Sequence, residues 1–148
     1  MRITQEADYA LRIACMLAQS GEERESAADI AERTAVSVRF TLKILHKLVN
    51  GGIMRSYKGA NGGYALARSA DLISLRDIIE LIDGPLAISK CIADSQQCSR
   101  EGVDKSQCML YHIFCRINDG VASKLACISV ADVADESADM AEVLKRLD

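Results

Sequence analysis

The chain has 148 residues, of which 49% are hydrophobic, and its formal net charge of −3 is split into +3 over residues 1–70 and −6 over residues 71–148. This length and hydrophobic content suffice for a folded core and exclude a disordered tail, while the scarcity of aromatic residues favours helices packed on helices over a sandwich or barrel. There is no apolar run long enough to span a bilayer and no signal peptide at the start, so we expect a cytoplasmic protein without a membrane partner.

Three helices are predicted in the first third of the chain. Apolar residues at spacings of three and four predict a first helix over residues 4–20, which ends at Gly21. A capping-box pattern beginning at Ser26 predicts a short second helix that ends at Thr34. Ser37 is placed to cap a third helix, which ends at the Asn50-Gly51-Gly52 sequence.

A β-hairpin is predicted directly after the third helix. Residues 53–57 and 64–67 are typical of two short strands, and the Asn61-Gly62 pair between them suits a tight turn with positive φ at both central residues. A further capping box at Ser74 predicts a fourth helix that ends at the Asp83-Gly84-Pro85 sequence. A short helix, a longer helix and a glycine-tipped hairpin in this order define a winged helix-turn-helix.

Positive charge is concentrated on the third helix and the hairpin. Between Glu32 and Asp71 there is no acidic residue, but there are seven basic ones, namely Arg33, Arg39, Lys43, Lys47, Arg55, Lys58 and Arg68. Taken alone, a charged helical stripe is usually a solvated surface. Because this stripe coincides with a wing and lacks any acidic residue in the sequence window, we interpret it as a surface that neutralises DNA phosphates.

The candidate DNA-binding residues fall into two groups on the third helix. Its amino end, the part of a recognition helix that reaches base edges, carries Ser37, Arg39 and Phe40. One and two turns further on lie the residues better placed for backbone phosphates, Lys43 and Lys47. At the tip of the wing, the residues predicted to enter the minor groove are Lys58 and Asn61.

The second half of the chain combines a polar segment with a long helix. Residues 85–108 (the cysteine segment below) lack helical periodicity and carry Cys91, Cys98 and Cys108. From Met109 to about Cys127 a helix is predicted, whose broad apolar stripe suits a dimer interface: Leu110, Ile113, Phe114, Ile117, Val121 and Leu125. A capping box at Ser129 predicts a last, polar segment that ends at Leu147.

Six cysteines in a reducing compartment predict metal ligands, redox thiols or buried apolar side chains rather than disulfides. The cysteine segment has no close Cys pair of the kind that zinc sites use, whereas iron–sulfur clusters accept thiolates at varied spacings. Oxidation-prone redox thiols and a zinc site are the alternatives. The remaining cysteines are interpreted as small buried apolar residues in helices, namely Cys15, Cys115 and Cys127.

The sequence resembles a known family, the small bacterial winged helix-turn-helix regulators typified by IscR, NsrR and CymR (the Rrf-two, or Rrf2, family). The resemblance covers nearly the whole chain, and its motifs are Met1-Arg2-Ile3-Thr4, Asp8-Tyr9-Ala10-Leu11, residues 37–48, Lys58-Gly59 with residues 62–67, and residues 75–84. It implies a mainly α fold: a winged head with a two-stranded wing over residues 1–84, the cysteine segment over 85–108, and a dimerisation helix with a tail over 109–148. It also implies a homodimer in which each head reads half of an inverted repeat in double-stranded DNA.

The resemblance makes the cysteine segment a candidate iron–sulfur site with Cys91, Cys98 and Cys108 as ligands. Relatives often complete the site with a side chain other than cysteine. One familiar arrangement places a His three positions after the third Cys, but that position is Tyr111 here and His112 follows it. Asp8, from the first helix of the partner subunit, is an equal candidate, and Cys115 is a weaker one. Three cysteines and one variable ligand are compatible with a [2Fe-2S] or a [4Fe-4S] cluster.

The favoured function is therefore a transcriptional regulator, most simply a repressor, whose cluster senses iron supply, oxidants or nitric oxide. The alternative within this class is a clusterless regulator of sulfur or cysteine metabolism that acts through a protein partner or thiol oxidation. An enzyme is disfavoured because the sequence has no nucleophile–base motif and no phosphate-binding glycine loop after a strand. In a third interpretation, the long apolar helix is the functional surface of a protein-interaction module.

Overall fold

The computed structural model describes residues 2–94 and 104–148, and within these ranges the protein is mainly helical. The helices are α1 (Gln5–Gln19), α2 (Ala27–Thr34), α3 (Val38–Asn50), α4 (Leu75–Asp83), α5 (Lys90–Ala93), α6 (Met109–Ala126), α7 (Val130–Ala134) and α8 (Met140–Lys145). Strands β1 (Met54–Tyr57) and β2 (Gly63–Leu66) pair antiparallel, with Met54 opposite Leu66 and Tyr57 opposite Gly63. This arrangement confirms the predicted fold class of a helical protein with a two-stranded wing.

The core forms where α3 packs on α1. Ile13 and Leu17 of α1 and the inward residues of α3 are buried and belong to one cluster; the α3 members are Ile44, Leu45 and Leu48. Burying side chains of this size favours folding by about 1.5–3 kcal/mol each. Because these residues recur every three or four positions along α3, their burial turns the opposite, basic face of this helix outward.

Side-chain caps begin the helices at the predicted serines. The Ser26, Ser37 and Ser74 hydroxyl oxygens accept hydrogen bonds from backbone amides in the first turns of α2, α3 and α4. Ser74 and Asp77 form a complete capping box, in which the Asp77 carboxylate accepts a hydrogen bond from the Ser74 amide at 2.9 Å. Each such cap stabilises its helix by about 1 kcal/mol, so the sequence specifies where these helices begin.

The carboxyl-terminal part of the chain packs on the head. Val130 of α7 is fully buried in the same cluster as α1 and α3. A second cluster joins Ile79 of α4 and Ala122 of α6 through Leu86, with Leu11 of α1 packed against it. The predicted division at residues 84 and 108 stays a prediction. None of the helices described has the length and apolar character needed to cross a membrane.

One prediction about local structure was wrong. The wing turn is not a two-residue turn at Asn61-Gly62; positive φ occurs instead at Gly59 (95°) and Gly63 (148°), and the Gly62 amide donates to the Gly59 carbonyl at 2.9 Å. The wing loop is longer than two residues, and the glycines that adopt positive φ lie at its two ends. The capping box predicted at Ser129 is present and begins the five-residue α7, and a separate helix α8 follows at Met140.

The loop between α1 and α2 forms an antiparallel β-bridge with strand β2 of the wing, which the sequence pattern did not predict. The Glu25 amide donates to the Tyr64 carbonyl at 3.0 Å, and the Tyr64 amide donates back to the Glu25 carbonyl at 2.9 Å. A Cβ atom at Gly63 would lie 2.8 Å from the Glu25 carbonyl oxygen. Gly63 is therefore required both for its φ and for this close approach.

We predict that Gly63→Ala destabilises the protein more than Gly59→Ala does. Both substitutions place a side chain at positive φ, but a Cβ at Gly59 meets open space, whereas one at Gly63 meets the backbone of residue 25. The difference in the free energy of unfolding should be about 1–3 kcal/mol, measured by urea denaturation of the two variants. Equal losses would show that the contact between Gly63 and Glu25 is unimportant.

Candidate nucleic-acid interface and cysteine segment

The amino end of α3 places four of the predicted DNA-binding residues around one surface depression, which is lined by Ser37, Arg39, Phe40 and Lys43. Ser37 and Arg39 are exposed, whereas Phe40 is half-buried because its ring packs edge-on against Tyr9 of α1, with 5.9 Å between ring centroids. Phe40 is thereby fixed in place, and Arg39 beside it is free of the core. This geometry places an apolar ring held by Tyr9 and an exposed guanidinium side by side on one surface.

Both phosphate candidates on α3 are paired with one carboxylate. Glu6, in the first turn of α1, lies 3.0 Å from Lys43 Nζ through Oε2 and 2.8 Å from Lys47 Nζ through Oε1. Partial burial alone would raise the pKa of Glu6, but the hydrogen bonds from Lys47 and Lys43 outweigh it and hold this pKa below its usual value. The sequence window around α3 contains no acidic residue, so only the packing of α1 on α3 reveals this contact.

Arg24, which the sequence did not single out, supports the tip of the wing. Its guanidinium lies 3.8 Å from the centroid of the Tyr57 ring and donates a hydrogen bond to the Asn61 carbonyl at 3.2 Å. Lys58 and Asn61 are both exposed at this tip. A cation–π contact together with a backbone hydrogen bond restrains the wing loop, so the positions of Lys58 and Asn61 depend on Arg24.

The cysteine segment is described at both of its ends. Cys91 lies in α5 with its Sγ 3.1 Å from Ser89 Oγ, and Cys108 directly precedes α6; both thiols are half-buried. Cys98 lies outside the described residues. Across residues 2–94 and 104–148, no group of three or more His, Cys, Asp or Glu side chains is arranged to hold a metal ion.

The two candidates for a fourth ligand have other contacts. His112 Nε2 lies 2.9 Å from the Ser106 carbonyl oxygen. Because a carbonyl oxygen only accepts, Nε2 is the donor in this contact, and in the neutral tautomer that donates from Nε2 the lone pair lies on Nδ1. Asp8 is half-exposed and forms an ion pair with Arg12 at 2.9 Å, the ordinary contact expected at this i, i+4 spacing.

The other cysteines differ in environment. Burial raises the pKa of the Cys15 thiol, which disfavours the reactive thiolate. Cys115 is half-buried and close to Tyr111, whose pKa is raised chiefly by a hydrogen bond with Cys115. The prediction of a buried apolar role was wrong for Cys127, which is exposed because α6 ends at the residue before it.

Part of the apolar stripe of α6 packs against the rest of the protein, and part of it is exposed to solvent. Leu125 packs toward the cluster of Ile79, Leu86 and Ala122. About half of each of three further side chains in this stripe is exposed: Leu110, Ile113 and Ile117. Asn118 is buried between these faces, and its Oδ1 accepts a hydrogen bond from the Ile88 amide at 3.1 Å. One side of α6 therefore packs against α4 and Leu86, and the other side is an exposed apolar surface.

A basic helix at the surface, followed by a restrained wing, defines a DNA-binding protein of the winged helix-turn-helix class. The Rrf2 family, described as iron-dependent transcriptional regulators, matches residues 3–136. The chain belongs to this family, so it is a DNA-binding transcriptional regulator, as the sequence predicted.

The individual relatives include two regulators with names of their own, CymR and IscR. The chain is 30% identical to the regulator CymR of Bacillus subtilis over 90% of each protein. It is 27% identical to the regulator IscR of Erwinia tasmaniensis over 91% of this chain and 79% of that protein. The solved structure of CymR, described as the global cysteine regulator of B. subtilis, superposes with a TM-score of 0.75 at 27% identity, covering 93% of this chain and 99% of CymR.

We predict that Lys58→Ala weakens binding to operator and random duplex DNA alike. Because Lys58 is exposed at the wing tip, its loss should remove one phosphate contact and lower the salt dependence of the binding constant by about one counterion. Fluorescence anisotropy at several salt concentrations measures this slope. The matched control is Lys145→Ala, which removes an exposed lysine from α8 and should leave the slope unchanged. A slope for Lys58→Ala that equals the wild-type value would place this side chain away from DNA.

Proposed function

We propose that this chain is a cytoplasmic repressor that binds inverted-repeat DNA as a homodimer and carries an iron–sulfur cluster that senses iron supply, oxidants or nitric oxide. The observation that carries the DNA-binding part is the outward basic face of α3 beside the wing. In this proposal Ser37, Arg39 and Phe40 contact base edges, because they surround the depression at the amino end of α3. An Arg39 contact to guanine would contribute about 1–3 kcal/mol of discrimination.

The phosphate contacts on the recognition helix are assigned to Lys43 and Lys47, which lie along α3. Lys58 and Asn61 are exposed at the wing tip and would enter the minor groove, where the Lys58 charge would also meet a phosphate. Such contacts orient the head without reading sequence. We assign dimerisation to the open flank of α6, because exposed apolar side chains at positions 110, 113 and 117 form one continuous stripe that a second copy would cover.

The donors at the ends of the cysteine segment fit an iron–sulfur group by their chemistry. Cys91 and Cys108 are half-buried thiols at its two ends, and Cys108 directly precedes α6. With Cys98 they would provide three soft ligands, and His112 Nδ1 or Asp8 of the partner subunit would provide the fourth. When bound, such a cluster supplies one-electron chemistry and sensitivity to oxidants.

A second candidate function is favoured by the likeness to CymR. The relative with a TM-score of 0.75 is described as a global cysteine regulator. On this alternative the chain is a clusterless regulator of sulfur or cysteine metabolism, which acts through a protein partner or thiol oxidation. Iron content separates the two candidates directly.

We predict that single replacements of Cys91, Cys98 or Cys108 by Ala remove most of the iron that the wild-type protein binds, because three thiolates leave no spare ligand of equal softness. The measurement is iron and sulfide content with visible absorption after anaerobic purification. The matched control is Cys15→Ala, since this cysteine lies in α1 and burial raises its pKa. Iron-free wild-type protein, or equal iron in all four variants, would contradict the cluster and favour the clusterless candidate.

A further inference from the structure

Glu6 of α1 forms ion pairs with both lysines of the recognition helix α3. Lys43 and Lys47 are one turn apart, and the Glu6 oxygens divide between them at 3.0 and 2.8 Å. The Glu6 side chain is 17% exposed, compared with 58% for Lys43 and 36% for Lys47. The carboxylate therefore lies beneath the two ammonium groups, on the protein side of the surface that faces DNA.

The chemistry of this contact matches that of a phosphate contact. A carboxylate and a phosphate diester each present two charged oxygens, and each binds lysine through charge-assisted hydrogen bonds. Glu6 therefore satisfies the same donors that a backbone phosphate would use. It also lowers the local charge of the pair from +2 to +1. At its Lys43 end this contact is open to solvent, and an ion pair with an exposed partner typically adds only about 0–1 kcal/mol to stability.

We propose that Glu6 limits the affinity of this protein for DNA by competing with a backbone phosphate for Lys43 and Lys47. The inference rests on the proposed placement of DNA on α3. Because phosphate contacts carry no sequence information, the carboxylate weakens binding to random DNA as well as to the operator. Glu6 thus lowers the fraction of the protein bound to DNA at operator and non-specific sites alike, without changing the ratio of the two affinities.

Coulomb's law gives the size of the effect. A carboxylate about 6 Å from a phosphate, in surroundings between bulk water and a protein surface, weakens binding about 3-fold to 100-fold. Screening by salt at about 0.1 M reduces this repulsion and sets the expected change near the lower end, at about 3-fold to 10-fold.

The test is Glu6→Gln, which keeps the size of the side chain and removes its charge. The probe is a fluorescein-labelled mixed-sequence DNA duplex, titrated with the full-length protein at several salt concentrations. The variant should bind about 3-fold to 10-fold tighter than the wild type at 0.1 M salt. The salt dependence of its binding constant should steepen by about one counterion. Without the Glu6 charge, one more lysine charge is available to neutralise a DNA phosphate and release its counterion. A purely structural role for Glu6 would not steepen this slope.

Two controls test whether the lysines mediate the effect. Glu32→Gln removes a charge of the same kind from an exposed position on α2 and should give a smaller gain in affinity. In a background carrying Lys43→Gln and Lys47→Gln, Glu6→Gln should give a clearly smaller gain, because only the direct repulsion between carboxylate and phosphate is then left to remove. Equal gains from Glu6→Gln and Glu32→Gln, or an undiminished gain in the double-lysine background, would show a long-range charge effect and overturn the inference.

The remaining outcomes separate this inference from the proposed function. If the wild-type protein binds the duplex but Glu6→Gln binds it no tighter, the inference fails while DNA binding on α3 stands. If neither protein binds the duplex even at low salt, the placement of DNA on α3 fails. Circular dichroism and thermal unfolding report whether the variants are folded. A loss of folding in both Glu6→Gln and Glu6→Ala would assign Glu6 a structural role and would also overturn the inference.

Discussion

The packing of α3 on α1 is the constraint on which the rest of this structure depends. Ile44, Leu45 and Leu48 are fully buried against α1, and their helical spacing leaves only one orientation for the opposite face. The same packing fixes Phe40 against Tyr9 and brings Glu6 under the lysines of α3. One hydrophobic interface therefore decides which side chains the protein presents to DNA and how strongly positive this surface is.

Short-range chemistry made much of the fold predictable from sequence. Ser37 and Ser74 cap helices because their hydroxyls satisfy amides three residues further along, and these motifs need no tertiary context. Contacts between distant segments left no such signal: Glu6 lies 37 residues before Lys43, and Arg24 stacks on Tyr57 in the wing. The Asn61-Gly62 pattern gave a wrong turn because Gly59 and Gly63 supply the positive φ in a longer loop. The site residues themselves were predicted from charge and position, and their roles stay proposals.

Helix α1 also links the two surfaces of functional interest. Its first turn reaches α3 through Glu6, and Leu11 on the same helix packs against the cluster of Ile79, Leu86 and Ala122. That cluster, together with the hydrogen bond from the Ile88 amide to Asn118, holds the start of the cysteine segment on α6. On the proposed function, a change of ligation at Cys91 or Cys108 would act on this same frame. Coupling of this kind is typically worth about 1–3 kcal/mol in DNA affinity.

The central claim is that α3 and the wing form the DNA-binding surface. Hydrogen–deuterium exchange with mass spectrometry, with and without a saturating mixed-sequence duplex at low salt, tests it most directly. DNA should slow exchange at the amino end of α3, from Val38 onward, and in the wing between Tyr57 and Tyr64, because contact with the backbone excludes water and restrains these amides. Exchange in α8 should not change. Protection confined to α6 or α8, with α3 and the wing exchanging at the same rate in both states, would show that DNA does not bind at α3 and the wing.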